Sequence, residues 1–368
     1  MESQVTSQKP QDAPASGAEF CVKSQRRPWG PAQYLALASA PLLAYQFWTL
    51  TGWLIAGPHA VNAFRDPNCT NYYLAKIIEV CLSIFGIVFL GKLIYDSWKK
   101  RKMTFDLMMY IGFALTVFWD TTTNFFQPVW FYTANWVNLN DWWGNAPLIQ
   151  NPIAGTTPFP ILFLGFLYPA AVTGCAMLVS IAMSRAKRRW QDISAAKLAG
   201  IGFLASFPLW TCIDGFLMIT HLWAGPGMPW DIPVISGLLG QTYHWGWLEP
   251  GFCITMGALI GYLRYWKISW QGTEEYSSKR KAFVNQLATI AACNLIFIVL
   301  QIPHMLAGFT YDQPYPRYPA HLVAGTCDVP GVATGTQYGL CPGAPGYKAP
   351  LRSTMKKEAA ANSSLSQM

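Results

Sequence analysis

Charge is what this chain has least of. Only 12% of its 368 residues are Asp, Glu, Lys or Arg, while 52% are hydrophobic; a soluble domain carries about 25% charged residues. The scarcity excludes an ordinary soluble fold. With several apolar runs of spanning length and a mean hydropathy of +0.22, it points to an all-α, polytopic transmembrane helix bundle. The basic excess, formally +8, sits at the ends of the apolar runs, where it sets topology. Nucleic acid is therefore excluded as a partner, and the lipid bilayer is expected instead. Nine Cys and five His show no CxxC and no metal-ligand spacing, which speaks against a zinc site. No DDxxD-like or DxDD-like run, GxGxxG, P-loop, GxSxG or HExxH is present, which removes Mg-dependent diphosphate ionisation and the nucleotide, serine-hydrolase and zinc-peptidase classes. His pairs at metal spacing within helices are missing too, against a di-iron or haem oxidase. Chemistry run by carboxylic acids on an apolar small molecule, with no metal and no cofactor, survives this filter.

About seven apolar runs reach spanning length: 31–55, 75–95, 105–122, 159–183, 198–221, 245–266 and 283–306. Backbone satisfaction in lipid makes them helices. Basic clusters follow the second run (Lys92, Lys99, Lys100, Arg101, Lys102), the fourth (Arg185, Lys187, Arg188, Arg189) and the sixth (Arg264, Lys267, Lys279, Arg280, Lys281), and Arg26 and Arg27 precede the first. Loops 123–158 and 222–244 hold no Lys or Arg. The positive-inside rule then puts the N-terminus in the cytosol and the C-terminal tail on the far side, the lumen if the membrane is the endoplasmic reticulum. Residues 1–30 are polar, lack the apolar core of a signal peptide and read as a disordered cytosolic lead-in, with the first span as insertion signal. Residues 31–309 form the transmembrane domain, 310–347 a Pro-, Gly- and Cys-rich lumenal segment, and 348–368 a disordered tail. On the far side, Cys327 and Cys341 are a candidate disulfide, with Cys69 a competitor and free thiols the alternative; Asn68-Cys69-Thr70 is a sequon close to the second span.

One stretch, 117–143, reads VFWDTTTNFFQPVWFYTANWVNLNDWW. It starts at the end of a span, places Asp120 near membrane depth and continues as a basic-free aromatic wall, which reads as a loop closing over the bundle. Few other ionisable groups are read within the spans: Glu79, Asp214, His221, Glu249 and His304, with His244 at a mouth. All fall in the far-side half, and an intramembrane acid is a functional hypothesis by default. Thr116, Asp120 and Asn124 are spaced to share one helical face; so are Asp214 and His221, and Asn294 and Gln301. A carboxylic acid kept neutral in such a bundle can act as a general acid, and a second acid can take the last proton. The bland readings are that Glu79 reaches the interface from a helix end, that Asp120 and Asp214 anchor helices by hydrogen bonds, and that His244 and His304 pack. No in-span Lys or Arg offers Asp120 or Asp214 a partner, which favours function for both. Many aromatics must be interfacial belt residues, but those around Asp120 are dense enough to hold a carbocation by cation–π attraction, about 0.5–2 kcal/mol each.

The segments FWDTTTNFFQPVWFYTANW, WTCIDGF and WLEPGF followed by GYLRYW resemble a family of small polytopic membrane cyclases. Its members include the membrane-bound terpene cyclases of fungal meroterpenoid pathways, of the ascofuranone, ascochlorin and macrophorin type. The bacterial spirocyclases of avermectin-type polyketide pathways look like a related branch. The resemblance runs over about 31–346 and rests on the order of D-x-x-x-N, D-G and L-E in successive spans. It implies an isomerase that protonates a terminal epoxide or olefin of a farnesyl-type chain on an aromatic or quinol-like head, closes rings and loses the last proton to a base. Carried onto this sequence, it implies Asp120, Asp214 and Glu249 as catalytic residues. Asn124, Trp119, Trp130, Tyr132, Asn135, His221, Trp245 and Trp247 are the expected substrate contacts. Two other readings stay open: a spiroketal cyclase or dehydratase of a polyketide pathway, and a seven-span receptor or transporter. The last span has no Lys for a retinal-type receptor, and no repeat between the halves marks a transporter.

Overall fold

The computed structural model describes residues 29–60, 71–124, 131–148, 158–224 and 248–310, with only the backbone described for some of them, Asn124, Glu249 and His304 included. The sequon at Asn68, Cys327 and Cys341, His244, and Trp130, Trp245 and Trp247 lie outside these residues. Among the described residues the fold is all-α, with seven long helices: α1 Pro31–Ala56, α2 Asn71–Lys99, α3 Phe105–Asp120, α4 Tyr168–Arg189, α5 Ala195–Ile219, α6 Leu248–Trp266 and α7 Ser278–Thr310. Four segments are apolar and long enough to cross a bilayer: Tyr72–Lys99, Phe163–Arg189, Ala195–Ile219 and Ser278–Pro303. This is therefore a membrane protein. α3, with 16 residues, rises only about 24 Å, short of a hydrocarbon core of about 30 Å.

Local chemistry sets the helix ends at the basic side of the bundle. Pro31 opens α1, and the Gln33 side chain accepts from Gly30 N at 3.0 Å. Thr104 Oγ1 caps α3 by accepting from Leu107 N, and Ser194 Oγ caps α5 by accepting from Lys197 N, each satisfying an orphan amide. Arg264 near the end of α6 clamps the start of α3 by two bonds to Asp106, 2.7 and 3.0 Å. The first turn of α1 bonds back to the α6–α7 connection, Ala32 N to Gln271 O.

At the other end, short strands make a cap. β1 (Phe131–Tyr132) pairs antiparallel with β4 (Trp223–Ala224), and β2 (Asn138–Asn140) with β3 (Pro158–Pro160). The expected span starting at 159 thus begins as strand. It then passes through a π-helical turn, Phe163–Leu167, before α4. That turn lies against α2 at Gly86, where an added Cβ would stand 2.3 Å from Phe166 O.

Glu79 departs from the expectation that it reaches the interface. It is 1% exposed. Its Oε1 accepts from Val137 N at 2.6 Å and its Oε2 from Lys76 Nζ at 3.2 Å, so an in-span lysine does find an acid. Trp136 Nε1 adds a bond to Ala75 O. Together these fasten the cap to the start of α2. Glu79→Ala leaves the partly buried Val137 amide and Lys76 without their acceptor, and is expected to cost about 1–3 kcal/mol. Glu79→Gln, which keeps an acceptor for Val137 N, should cost less. Thermal melting of the purified protein in detergent checks the order.

Candidate active site

α3 ends at Asp120 because the chain is turned aside there. Thr121–Asn124 forms a 3-10 turn, and the cap folds back onto it. Trp143 Nε1 donates to Thr121 Oγ1 at 3.0 Å, Thr121 Oγ1 donates to Asp141 Oδ1 at 3.3 Å, and Trp143 N donates to the same oxygen at 3.0 Å. Trp142 Nε1 bonds Phe118 O at 3.2 Å. The helical stripe expected through Asn124 therefore stops at Asp120: Thr116 and Asp120 share a face and are buried, while Asn124 sits on the tighter turn.

Asp120 and Asp214, from α3 and α5, line one cavity of about 60 Å³. Tyr132, on β1, donates its hydroxyl to Asp120 Oδ2 at 3.0 Å. Both acids are buried, 3% and 7% exposed. Six of the thirteen lining residues are aromatic: Tyr132, Phe163, Tyr168, Trp210, Trp223 and Phe252. Trp210 is held against α6 at Gly257, where an added Cβ would meet its Nε1 at 2.4 Å. Phe252 and Cys253 bring α6 to the cavity. Position 249 lies three and four residues before them, which is the same helical face. Larger open clefts, of about 650 and 750 Å³, lie at the basic end beside Lys187 and Arg188 and beside Lys99 and Arg101, away from these acids. Among the described residues, no three His, Cys, Asp or Glu side chains gather as a metal site.

Several expected contacts are placed elsewhere. Trp119 stacks on Tyr45 with centroids 6.1 Å apart and donates to Asn294 Oδ1 at 2.7 Å, so its indole serves the α1–α3–α7 packing and does not line the cavity. Asn135 is fully buried in the turn between β1 and β2. α5 ends at Ile219, so His221 does not share a helical face with Asp214. Its φ is +58°, and the bonds from its amide to Met218 O and from Leu222 N to Leu217 O make a Schellman close.

Asp141 is a group that sequence reasoning passed over. It is 2% exposed, and burial pushes its carboxyl up to about 7, with the Trp143 and Trp142 amides and the Thr121 hydroxyl pulling the other way. The available signal was an acid between Asn140 and Trp142 in a loop without a base. Its folded pKa exceeds the unfolded value, so the native state binds the extra proton between about pH 4 and about pH 7. Its contribution to stability is full below that window and is lost as pH rises through 7. The melting temperature is expected to fall from about pH 5 to about pH 8, and the fall should flatten in Asp141→Asn. Melts across that pH range decide it.

A family model described as spirocyclase AveC-like matches residues 100–322, a stretch that takes in α3 through α7, Asp120, Asp214 and position 249. No curated protein and no solved structure matches the chain. The match covers more than half of the 368 residues. The chain belongs to the AveC-like spirocyclase family.

Proposed function

We propose that this membrane cyclase closes rings on the prenyl chain of an apolar meroterpenoid precursor by acid–base chemistry, without metal or cofactor. The observation that carries the reading is the pairing of Asp120 and Asp214 in one aromatic-walled cavity. One acid protonates a terminal epoxide oxygen. The C–O bond breaks, an internal olefin attacks the cationic carbon to form a C–C bond, and the final cation loses a proton to a carboxylate. Substrate and product are isomers, and the proton is returned. Tyr132, bonded to Asp120, orients that acid. Glu249 is the third acid of the proposed set; its position one turn before Phe252 and Cys253, which line the cavity, supports this. Aromatic faces hold the cation by about 0.5–2 kcal/mol each, and burial keeps water from quenching it. The cavity of about 60 Å³ has room for only about two waters, so a prenyl chain is accommodated by movement of wall side chains. Asn124, Trp130, Trp245 and Trp247 remain expected substrate contacts on this reading. We place the protein in the endoplasmic reticulum, N-terminus cytosolic.

The family description supports a second reading, spiroketal closure of a polyketide. There the same acids protonate a ketone or a hemiketal hydroxyl, and the cation is shared with oxygen, which leaves less for aromatic walls to do.

Microsomes from a heterologous host, given a prenylated aromatic epoxide and a long-chain dihydroxyketone, separate the two. Asp120→Asn and Asp214→Asn should each lower turnover by about 10²–10⁴-fold, with Tyr132→Phe milder. If these two and Glu249→Gln all leave cyclisation intact, the site is misassigned.

A further inference from the structure

A second set of buried polar groups lies between α1, α7 and the Thr121–Asn124 turn, outside the acid cavity. Gln46 on α1 donates to Asn294 Oδ1 on α7 at 2.8 Å, which fixes the register of two helices that run in the same direction and pack along their length. Above this bond, toward the cap, come further polar side chains. Thr49 is three residues on, Trp53 seven residues on, and on α7 Gln301 is also seven residues on. Trp53 and Gln301 therefore stand at one height, about 10 Å above the bond. α7 packs against the turn that carries Thr122, and Trp53 meets the cap edge-on at Trp142, 6.0 Å between centroids.

Among the described residues, Gln46 Oε1, Thr49 Oγ1, Trp53 Nε1, Thr122 Oγ1 and both amide atoms of Gln301 are buried and have no hydrogen-bond partner. Thr49 is fully buried and Gln301 2% exposed. An isolated orphan is tolerable, but each one costs enough that buried polar atoms are ordinarily paired. Six lie on three touching elements, with Trp53 Nε1 and the two Gln301 atoms at one height, and together they point to an occupant that supplies the bonds. Hydroxyls and an amide each donate and accept, and the indole donates. No charged side chain belongs to the set, so the matching ligand is neutral and oxygenated. The seam is next to the acid cavity: Thr122 is two residues from Asp120, and Phe297, between Asn294 and Gln301, packs edge-on against the cavity residues Tyr168 and Phe252, with centroids 6.2 and 5.6 Å away.

We propose that Gln301, with Thr49 and Thr122, binds the neutral hydroxyl- or carbonyl-bearing head of the substrate between α1 and α7, while the apolar chain reaches the Asp120–Asp214 cavity. This rests on the cyclase reading of that cavity. The test reads binding, so it does not depend on turnover. Purified full-length protein in nanodiscs is titrated with a farnesyl-substituted phenol, its methyl ether and farnesene, and separately with a long-chain dihydroxyketone and its deoxy hydrocarbon. Trp fluorescence reports binding. The hydroxylated member of one series should bind at least ~10-fold tighter than its hydrocarbon, with the ether between; which series shows it identifies the head. Gln301→Leu should shrink the preference to under ~3-fold and melt no lower than wild type, because it removes orphans and breaks no protein bond. Thr49→Val repeats the test should Gln301→Leu fail to fold. Equal binding within both series, or a preference untouched by both variants, overturns the proposal and leaves the seam to internal water. Loss of turnover in Asp120→Asn with the head-group preference intact keeps the two readings separate.

Discussion

The arrangement depends on how α3 is stopped. If the helix that carries Asp120 at its last position continued, residues 121–124 would run straight on and could not turn back under the cap. The Asp141 carboxylate, the Thr121 hydroxyl and the Trp143 indole and amide instead tie the next turn down. All three groups are buried, so each bond is made where water cannot substitute for it. The same knot holds the aromatic cap over the acids, and Glu79 and Trp136 fasten the cap's other edge to α2. The cap is therefore a fixed roof built from backbone and buried side-chain hydrogen bonds.

The acid cavity lies where two packed cores meet. One core is the cap and its floor, with Trp136, Trp142, Trp143, Leu217 and Trp223; the other is the middle of the bundle, with Phe113, Trp210, Phe252 and Phe297. Tyr168 and Ile213 pack against both. A small void at the boundary of two clusters leaves the packing inside each cluster intact, where a cavity would cost stability. The π-helical turn before α4 and the close approaches at Gly86 and Gly257 set the walls at that boundary.

Hydropathy and charge made the helix order readable, because it is written in the composition of whole segments. The juxtaposition of Asp120 with Asp214 and the aromatic wall at Tyr132 were also legible. Helical faces extended past the end of a helix did not hold. The i+4 step from Asp120 to Asn124 and the seven-residue step from Asp214 to His221 both cross helix termini, and termini are decided by tertiary bonds that no periodicity carries. Trp119 was misjudged because aromatic density cannot say which way an indole turns; its partner, Asn294, is on the last helix. Glu79 and Asp141 were undervalued because their partners, Val137 N and Trp143 N, are backbone amides of a loop.

Terpenoid and spiroketal closure begin with the same event, transfer of a proton to an oxygen inside an apolar bundle. The family match and the paired carboxyls bear on that shared step alone. The walls distinguish the later steps. An oxocarbenium ion spreads its charge onto oxygen and is trapped by a hydroxyl within its own chain. A carbocation on a prenyl chain is passed to an internal olefin, which leaves a new carbocation, and must be sheltered through several bond-forming steps. On the proposed reading, the six aromatic side chains that face the cavity give cation shelter, and the unpartnered polar atoms between α1 and α7 give polar recognition. That division suits a substrate with an oxygenated head and a long hydrocarbon chain better than one whose oxygens are distributed along the reacting chain.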